Sequence, residues 1–189
     1  MAFEDYQTKP SVVIVYTGEG KGKTSAAVGL MARALGNDYR VAFIQFIKHW
    51  EVSEHKFIHK IEPLYKDKLF FYKGGKGFYN AGDLSARDVT PEEHKLAAEL
   101  TYETALNCAS NGKYDLVICD EINNAVNDGL LNVSDITKLI DQRNINTSLC
   151  LTGRNFNNQL LEKVDIASEM HKLKHHFDNK FLANKGIDF

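Results

Sequence analysis

The chain has 189 residues, 43% of them hydrophobic and 25% charged, with a net charge of −2. That length suits one compact domain with a single core, spanning 1–189, and the slight negative balance argues against a general nucleic-acid surface. No apolar run is long enough to cross a bilayer and no apolar signal core opens the chain, so neither nucleic acid nor membrane is expected as a partner and the expected location is the cytoplasm.

Residues 1–10 are polar and read as a flexible N-terminal arm, one that could also fold over a site. Val12 to Tyr16 is an unbroken apolar run, as a parallel strand buried on both faces requires. It leads into Thr17-Gly18-Glu19-Gly20-Lys21-Gly22-Lys23-Thr24. Strand, glycine-rich turn and Lys-Thr at a helix start form a phosphate-binding loop. Backbone N–H groups can turn inward around an anion, Lys23 brings an ammonium, and the Thr24 hydroxyl can ligate a divalent cation. The helix dipole adds positive potential at the same point. Thr17 stands where the general pattern has its first glycine, and the glycine spacing misses the dinucleotide fingerprint.

A first helix is predicted from Lys23 to Leu35, with Ala26, Ala27, Leu30, Met31 and Ala34 at helical spacing and Gly36 as its stop. Arg33 lies more than two turns along it. Val41 to Ile47 reads as a second buried strand whose carboxyl end carries Gln45 and Lys48, where ligands of α/β sheets sit. Residues 50–66 are mixed and charged, with Trp50, Phe57 and Ile61 as packing residues. Leu69 to Tyr72 is a short third strand. A glycine-rich loop over 73–89 carries Phe78 and Tyr79, which either cover a flat ligand or tuck onto the core.

Thr90-Pro91-Glu92-Glu93 starts a helix with a capping box and runs to Ser110, with Ala97, Leu100, Thr104 and Cys108 predicted on one stripe. Leu116 to Glu121 is an apolar strand ending in the carboxylates of Asp120 and Glu121. Such a strand is expected beside the phosphate-loop strand, with its acids near the metal. Ser134 is predicted to cap a helix with Ile136, Leu139 and Ile140 inward. Ser148 to Thr152 is a further strand, and Arg154 follows it at a carboxyl end, where a guanidinium could neutralise phosphate. Residues 156–164 read as helix, Ile166 to Leu173 as a last strand, and the tail beyond Phe177 as irregular.

Cys108, Cys119 and Cys150 are far apart in sequence and read as buried small hydrophobes rather than a disulfide or zinc framework. His171 and His175 fall on predicted strand and loop, so no metal is expected there, and Lys172, Lys174, His175 and His176 read as solvated surface. Alternating strands and helices give an α/β fold, a mainly parallel sheet with helices on both faces.

In order and at fitting spacing, these pieces resemble the ATP:corrinoid adenosyltransferases (cob(I)alamin adenosyltransferases) of the phosphate-loop type. The resemblance is carried by the Thr17–Thr24 loop, Val41 to Lys48 (VAFIQFIK), Gly77-Phe78, Tyr114 to Asn123 (YDLVICDEIN), Leu151 to Arg154 (LTGR), Lys174 to Asp178 and Gly186 to Phe189. It implies a P-loop NTPase-like, RecA-like fold. It also implies transfer of the 5′-deoxyadenosyl group of ATP to the Co(I) of a reduced corrinoid, with tripolyphosphate leaving. The implied ATP-binding set is Thr17, Gly18, Glu19, Gly20, Lys21, Gly22, Lys23, Thr24, Ser25, Arg33 and Arg154. Mg2+ or Mn2+ is implied on Thr24 and Glu121 with Asp120 nearby, and catalysis on Lys23, Thr24 and Glu121. Phe78, Tyr79 and Asn80 would face the corrinoid, although the family often has Gly-Phe-Thr-Trp where this chain has Gly77-Phe78-Tyr79-Asn80. A homodimer and a flavoprotein reductase as partner are implied as well. A P-loop kinase or NTPase, and a non-catalytic ATP or corrinoid binder, are the competing readings.

Overall fold

The structure, a computed structural model, describes residues 5–79 and 88–189. Six strands, β1 (Val13–Thr17), β2 (Val41–Gln45), β3 (Leu69–Lys73), β4 (Leu116–Asp120), β5 (Ser148–Thr152) and β6 (Ile166–Glu169), form one sheet in the order β3-β2-β4-β5-β1-β6. Every pairing is parallel. The helices are α1 (Lys23–Gly36), α2 (Ser53–Tyr65), α3 (Pro91–Ser110), α4 (Ile122–Asn127) and α5 (Val133–Gln142).

The two-residue period of the strands divides the core. Val13, Val15, Ile44, Val117 and Leu149 face α3, α4 and α5. Ile14, Phe43, Ile118 and Cys150 face the other way, against Met31 of α1 and Ile58 of α2. Helices therefore cover both faces of a parallel sheet, and the strands need no polar alternation. No helix among the described residues is long and apolar enough to cross a membrane.

Several expectations shift. The acidic strand β4 is not beside β1, because β5 is inserted between them. Residues 50–66 contain a helix, α2, whose buried positions are His55 and Ile58, while Phe57 and Trp50 stay exposed. The buried face of α3 runs through Ala97, Ala98, Thr101, Tyr102, Ala105, Cys108 and Ala109, leaving Leu100 outside. Helix α5 is capped by Asn132, not Ser134, in a box with Asp135. Residues Asn158–Lys163 are 3-10 rather than α-helical. Strand β6 ends at Glu169 instead of Leu173, since Met170 turns aside to hold the loop after β1.

Lys9 and Ser11, just before β1, are held at the amino ends of the strands: Lys9 pairs with Asp165 and Ser11 donates to the Ile145 carbonyl. The three cysteines are free and buried, with Cys119 on β4 and Cys150 on β5, and burial raises all three thiol pKa values.

Candidate functional site

The loop between β1 and α1 has the shape its glycines predict. Gly18 and Gly22 take φ values of 98° and 109°, a region a Cβ makes costly. Gly20 is needed for another reason: its N–H donates to the Met170 carbonyl at 2.6 Å, so close that a Cβ would collide with it. That amide is therefore engaged by β6's extension rather than turned toward an anion. The Thr17 hydroxyl accepts from the Phe156 amide at 3.3 Å, so the residue replacing the expected glycine ties the β5–β6 connection to the loop.

Lys23 donates to the carbonyls of Gly18 and Gly20, at 2.6 and 2.7 Å. Burial, and then the charge of Arg154, lower its pKa. Arg154 itself reaches the loop through Glu19, at 3.3 Å. Lys21 points away, to Asp188. The predicted set is thus gathered unevenly. Lys23, Thr24, Glu19 and Arg154 meet at the loop, and Ser25 is exposed on the first turn of α1. Arg33 is exposed in the last turn, roughly 13 Å farther along the axis than Thr24.

Beneath the loop lies an acidic pocket. Asp120, fully buried at the end of β4, accepts from Thr24 (3.1 and 3.2 Å), from Gln45 (2.8 Å) and from Thr152 (2.7 Å). Thr152 accepts in turn from the Glu121 amide at 2.9 Å, which is how the inserted β5 joins β4 to the site. Lys48 sits 3.9 Å from Asp120 and 2.6 Å from Glu54. Burial opposes its charge, but Asp120, Glu121 and Glu54 outweigh burial and raise its pKa.

Glu121 is held at φ 64°, ψ 17° as the residue before α4, a left-handed conformation that non-glycine residues adopt at a cost and that clusters at functional sites. Its Oε2 is sealed from water without a hydrogen-bond partner. Burial, and next the charge of Asp120, push its pKa up to about 7. An orphaned carboxylate oxygen beside a second carboxylate and a threonine hydroxyl is a donor set that fits a hard divalent cation.

This environment gives a stability prediction. Because the folded chain holds the Glu121 proton more tightly than the unfolded chain, the associated stability is full below the ordinary value of 4.5 and is lost as pH rises through about 7. Metal-free Glu121→Gln is therefore expected to melt above the wild type at about pH 8, with the gap closing in acid. Thermal unfolding across pH checks the sign.

On the glycine-rich loop, Phe78 and Tyr79 are half-buried and packed against the core. The Phe78 ring lies 4.7 Å from that of Trp50. Asn80 lies outside the described residues. The predicted solvated tail is tied more closely than expected. His175 and His176 flank Asp188, which also accepts from Lys21 and from the Asn184 amide. His175 Nδ1 accepts from the Phe177 amide and His176 Nε2 donates to the Leu182 carbonyl. Among the described residues these two histidines and Asp188 are the one His/carboxylate group close enough to share a metal. Their hydrogen bonds make it a carboxylate surrounded by donors.

Sequence reasoning picked out Gln45 and Lys48 by their place at a strand end. It missed Thr152, whose only signal is a hydroxyl closing an apolar strand, and Glu54 and His55, which belong to a helix it did not recognise.

Comparison with known proteins places these features in company. The profile of the family described as ATP:corrinoid adenosyltransferase BtuR/CobO/CobP matches residues 9–189. A protein named corrinoid adenosyltransferase from Sinorhizobium sp. is 31% identical over 179 residues, covering 94% of this chain and 80% of the relative. One of the same name from Escherichia coli (strain K12) is 30% identical over 186 residues, covering 97% and 88%. Among solved structures, the flagellar accessory protein FlaH from Methanocaldococcus jannaschii matches with a TM-score of 0.51 at 13% identity, over 85% of this chain and 71% of that one. That last likeness concerns the fold alone.

Proposed function

The chain belongs to the ATP:corrinoid adenosyltransferase family, and from that premise we propose that it transfers the 5′-deoxyadenosyl group of ATP to the Co(I) of a reduced corrinoid. Cobalt supplies the electron pair of the new Co–C bond, the C5′–O bond breaks, and its electrons leave on tripolyphosphate. The observation that carries the reading is the meeting of Lys23, Thr24, Asp120 and Glu121 at the carboxyl ends of β1 and β4.

With a metal as nucleophile, the protein needs neither a Ser or Cys nucleophile nor a general base. Its work is to align C5′ with cobalt and to stabilise charge developing on the leaving group. Lys23 and Arg154 supply positive charge at the loop, and the nucleotide lies so that C5′ rather than the terminal phosphorus faces the acceptor. Thr24 and Glu121 would hold Mg2+ or Mn2+, with Asp120 behind them. A divalent cation there neutralises polyphosphate charge. Arg33 and the exposed Ser25 belong to the outer part of the nucleotide site. Phe78 packs against the corrin and helps to exclude water, and Tyr79 and Asn80 are assigned to corrinoid binding with it. A homodimer, a flavoprotein reductase as electron source and a cytoplasmic location complete the reading.

Anaerobic turnover with ATP, Mg2+ and a chemically reduced corrinoid tests it. Adenosylcorrinoid and tripolyphosphate are the expected products. Corrinoid-stimulated ADP and phosphate would mean a kinase-like or NTPase reaction instead, and nucleotide binding without turnover a carrier.

A further inference from the structure

The polar interior of the site does not end at Asp120. Gln45 is fully buried, and both ends of its amide are used: Nε2 donates to Asp120 and Oε1 accepts from His55 Nε2. The His55 ring is fixed on its far side, where Nδ1 accepts from the Val52 amide at 3.4 Å. A neutral imidazole with its proton on Nε2 is the one form that satisfies both contacts. The chain of contacts therefore runs from the start of α2 through His55 and Gln45 to the carboxylate that Thr24 and Thr152 share. The preceding residue, Glu54, holds Lys48 from the same turn.

We propose that His55 is a positioning residue for the metal and phosphate site: its Nε2–H anchors the Oε1 end of the Gln45 amide, which keeps the Nε2 end against Asp120 and that carboxylate in place beside Thr24. Without the imidazole donor, Gln45 Oε1 is buried and unpaired, which costs free energy, and the side chain is drawn toward another donor or toward water. That displacement weakens the Gln45 Nε2–Asp120 contact and leaves the carboxylate less firmly held beside the Thr24 hydroxyl. Groups of this kind, one contact removed from the ligands, commonly change metal affinity or activity by about ten- to a hundredfold. The inference rests on the role proposed above for Thr24, Asp120 and Glu121.

The test compares His55→Ala, His55→Asn and His55→Gln by calorimetric binding of Mn2+·ATP and by the Mg2+ dependence of turnover. The Gln amide nitrogen can occupy the Nε2 position, whereas that of Asn falls at Nδ1 and cannot reach Gln45. Alanine and asparagine are expected to weaken Mn2+·ATP binding and raise the Mg2+ requirement roughly tenfold, with the corrinoid KM unchanged and glutamine restoring both. His55 also packs against Phe71, at 5.4 Å, so a purely structural role would lower the melting temperature and leave the Mg2+ requirement alone. That result, or a folded glutamine variant that restores nothing, overturns the proposal. If the alanine variant does not fold, the asparagine variant carries the comparison. Glu121→Gln separates the two levels. If it shifts the Mg2+ requirement and the His55 variants do not, the positioning role fails; if it shifts nothing, the metal site itself is misassigned and the proposal falls with it.

Discussion

Lys23→Ala is expected to lower the adenosyl-transfer rate by about a thousandfold, equivalent to about 4 kcal/mol of transition-state stabilisation. The lysine is the ammonium nearest the loop carbonyls, and the bond that breaks sends its electrons onto the polyphosphate, so its charge matters more as the reaction proceeds. Without nucleotide the same ammonium bridges the Gly18 and Gly20 carbonyls, so its loss also slackens the loop and weakens ATP binding. Lys23→Arg is not expected to rescue the rate, because a planar guanidinium cannot replace a compact ammonium between two carbonyls. Single-turnover rates, with the melting temperature as a check on folding, measure the effect. A variant with full activity would show that the polyphosphate binds elsewhere.

Gly20→Val should damage stability and binding together. Its Cβ would stand 2.6 Å from the Met170 oxygen and 2.8 Å from the carbonyl carbon. Relief requires β6's extension to move from the loop, with loss of the Gly20–Met170 hydrogen bond. Overpacking plus one lost hydrogen bond costs about 2–4 kcal/mol, or roughly 5–15 °C in melting temperature for a chain of this size. ATP affinity should fall with it, since Gly18 and Gly22 lie on either side. The control is Gly29→Ala on the exposed side of α1, where an added Cβ meets nothing within 4 Å. There the substitution should stabilise by about 0.5–1 kcal/mol. Urea unfolding of the two variants separates the close approach at Gly20 from a general intolerance of glycine replacement.

The nucleotide loop, the capping box at Thr90 and the acids closing β4 were legible because each is a local pattern with a local cause. Thr90 does accept from the Glu93 amide, and Glu93 returns the contact. Strand adjacency is not local. Nothing in residues 116–121 says that β5 rather than β1 lies alongside, and the role of Thr152 follows only from that order. Helix α2 was hidden for a different reason. Its inward face carries His55 beside Ile58, and Pro63 interrupts its last turn, so the apolar period is broken where a buried polar side chain does the packing. The cap of α5 moved two residues because Asn132 and Ser134 are both good capping types, and the partner Asp135 decides between them. In α3, small residues form the contact face, which places Leu100 on the wrong side of a stripe chosen by size alone.

The surroundings of Lys48 have a consequence for the order in which ligands arrive. Lys48 and, from the loop, Lys23 both face the carboxyl groups of Asp120 and Glu121, and Lys48 also holds Glu54. An ATP anion without a counter-ion brings negative charge toward Asp120 and finds Lys23 and Lys48 already shared with carboxyl groups, while the same anion with Mg2+ attached brings further positive charge along. The cleft thus screens its visitors by charge: stripped of Mg2+ by a chelator, ATP should be a poor competitor for the protein even at concentrations where the Mg2+ complex saturates it.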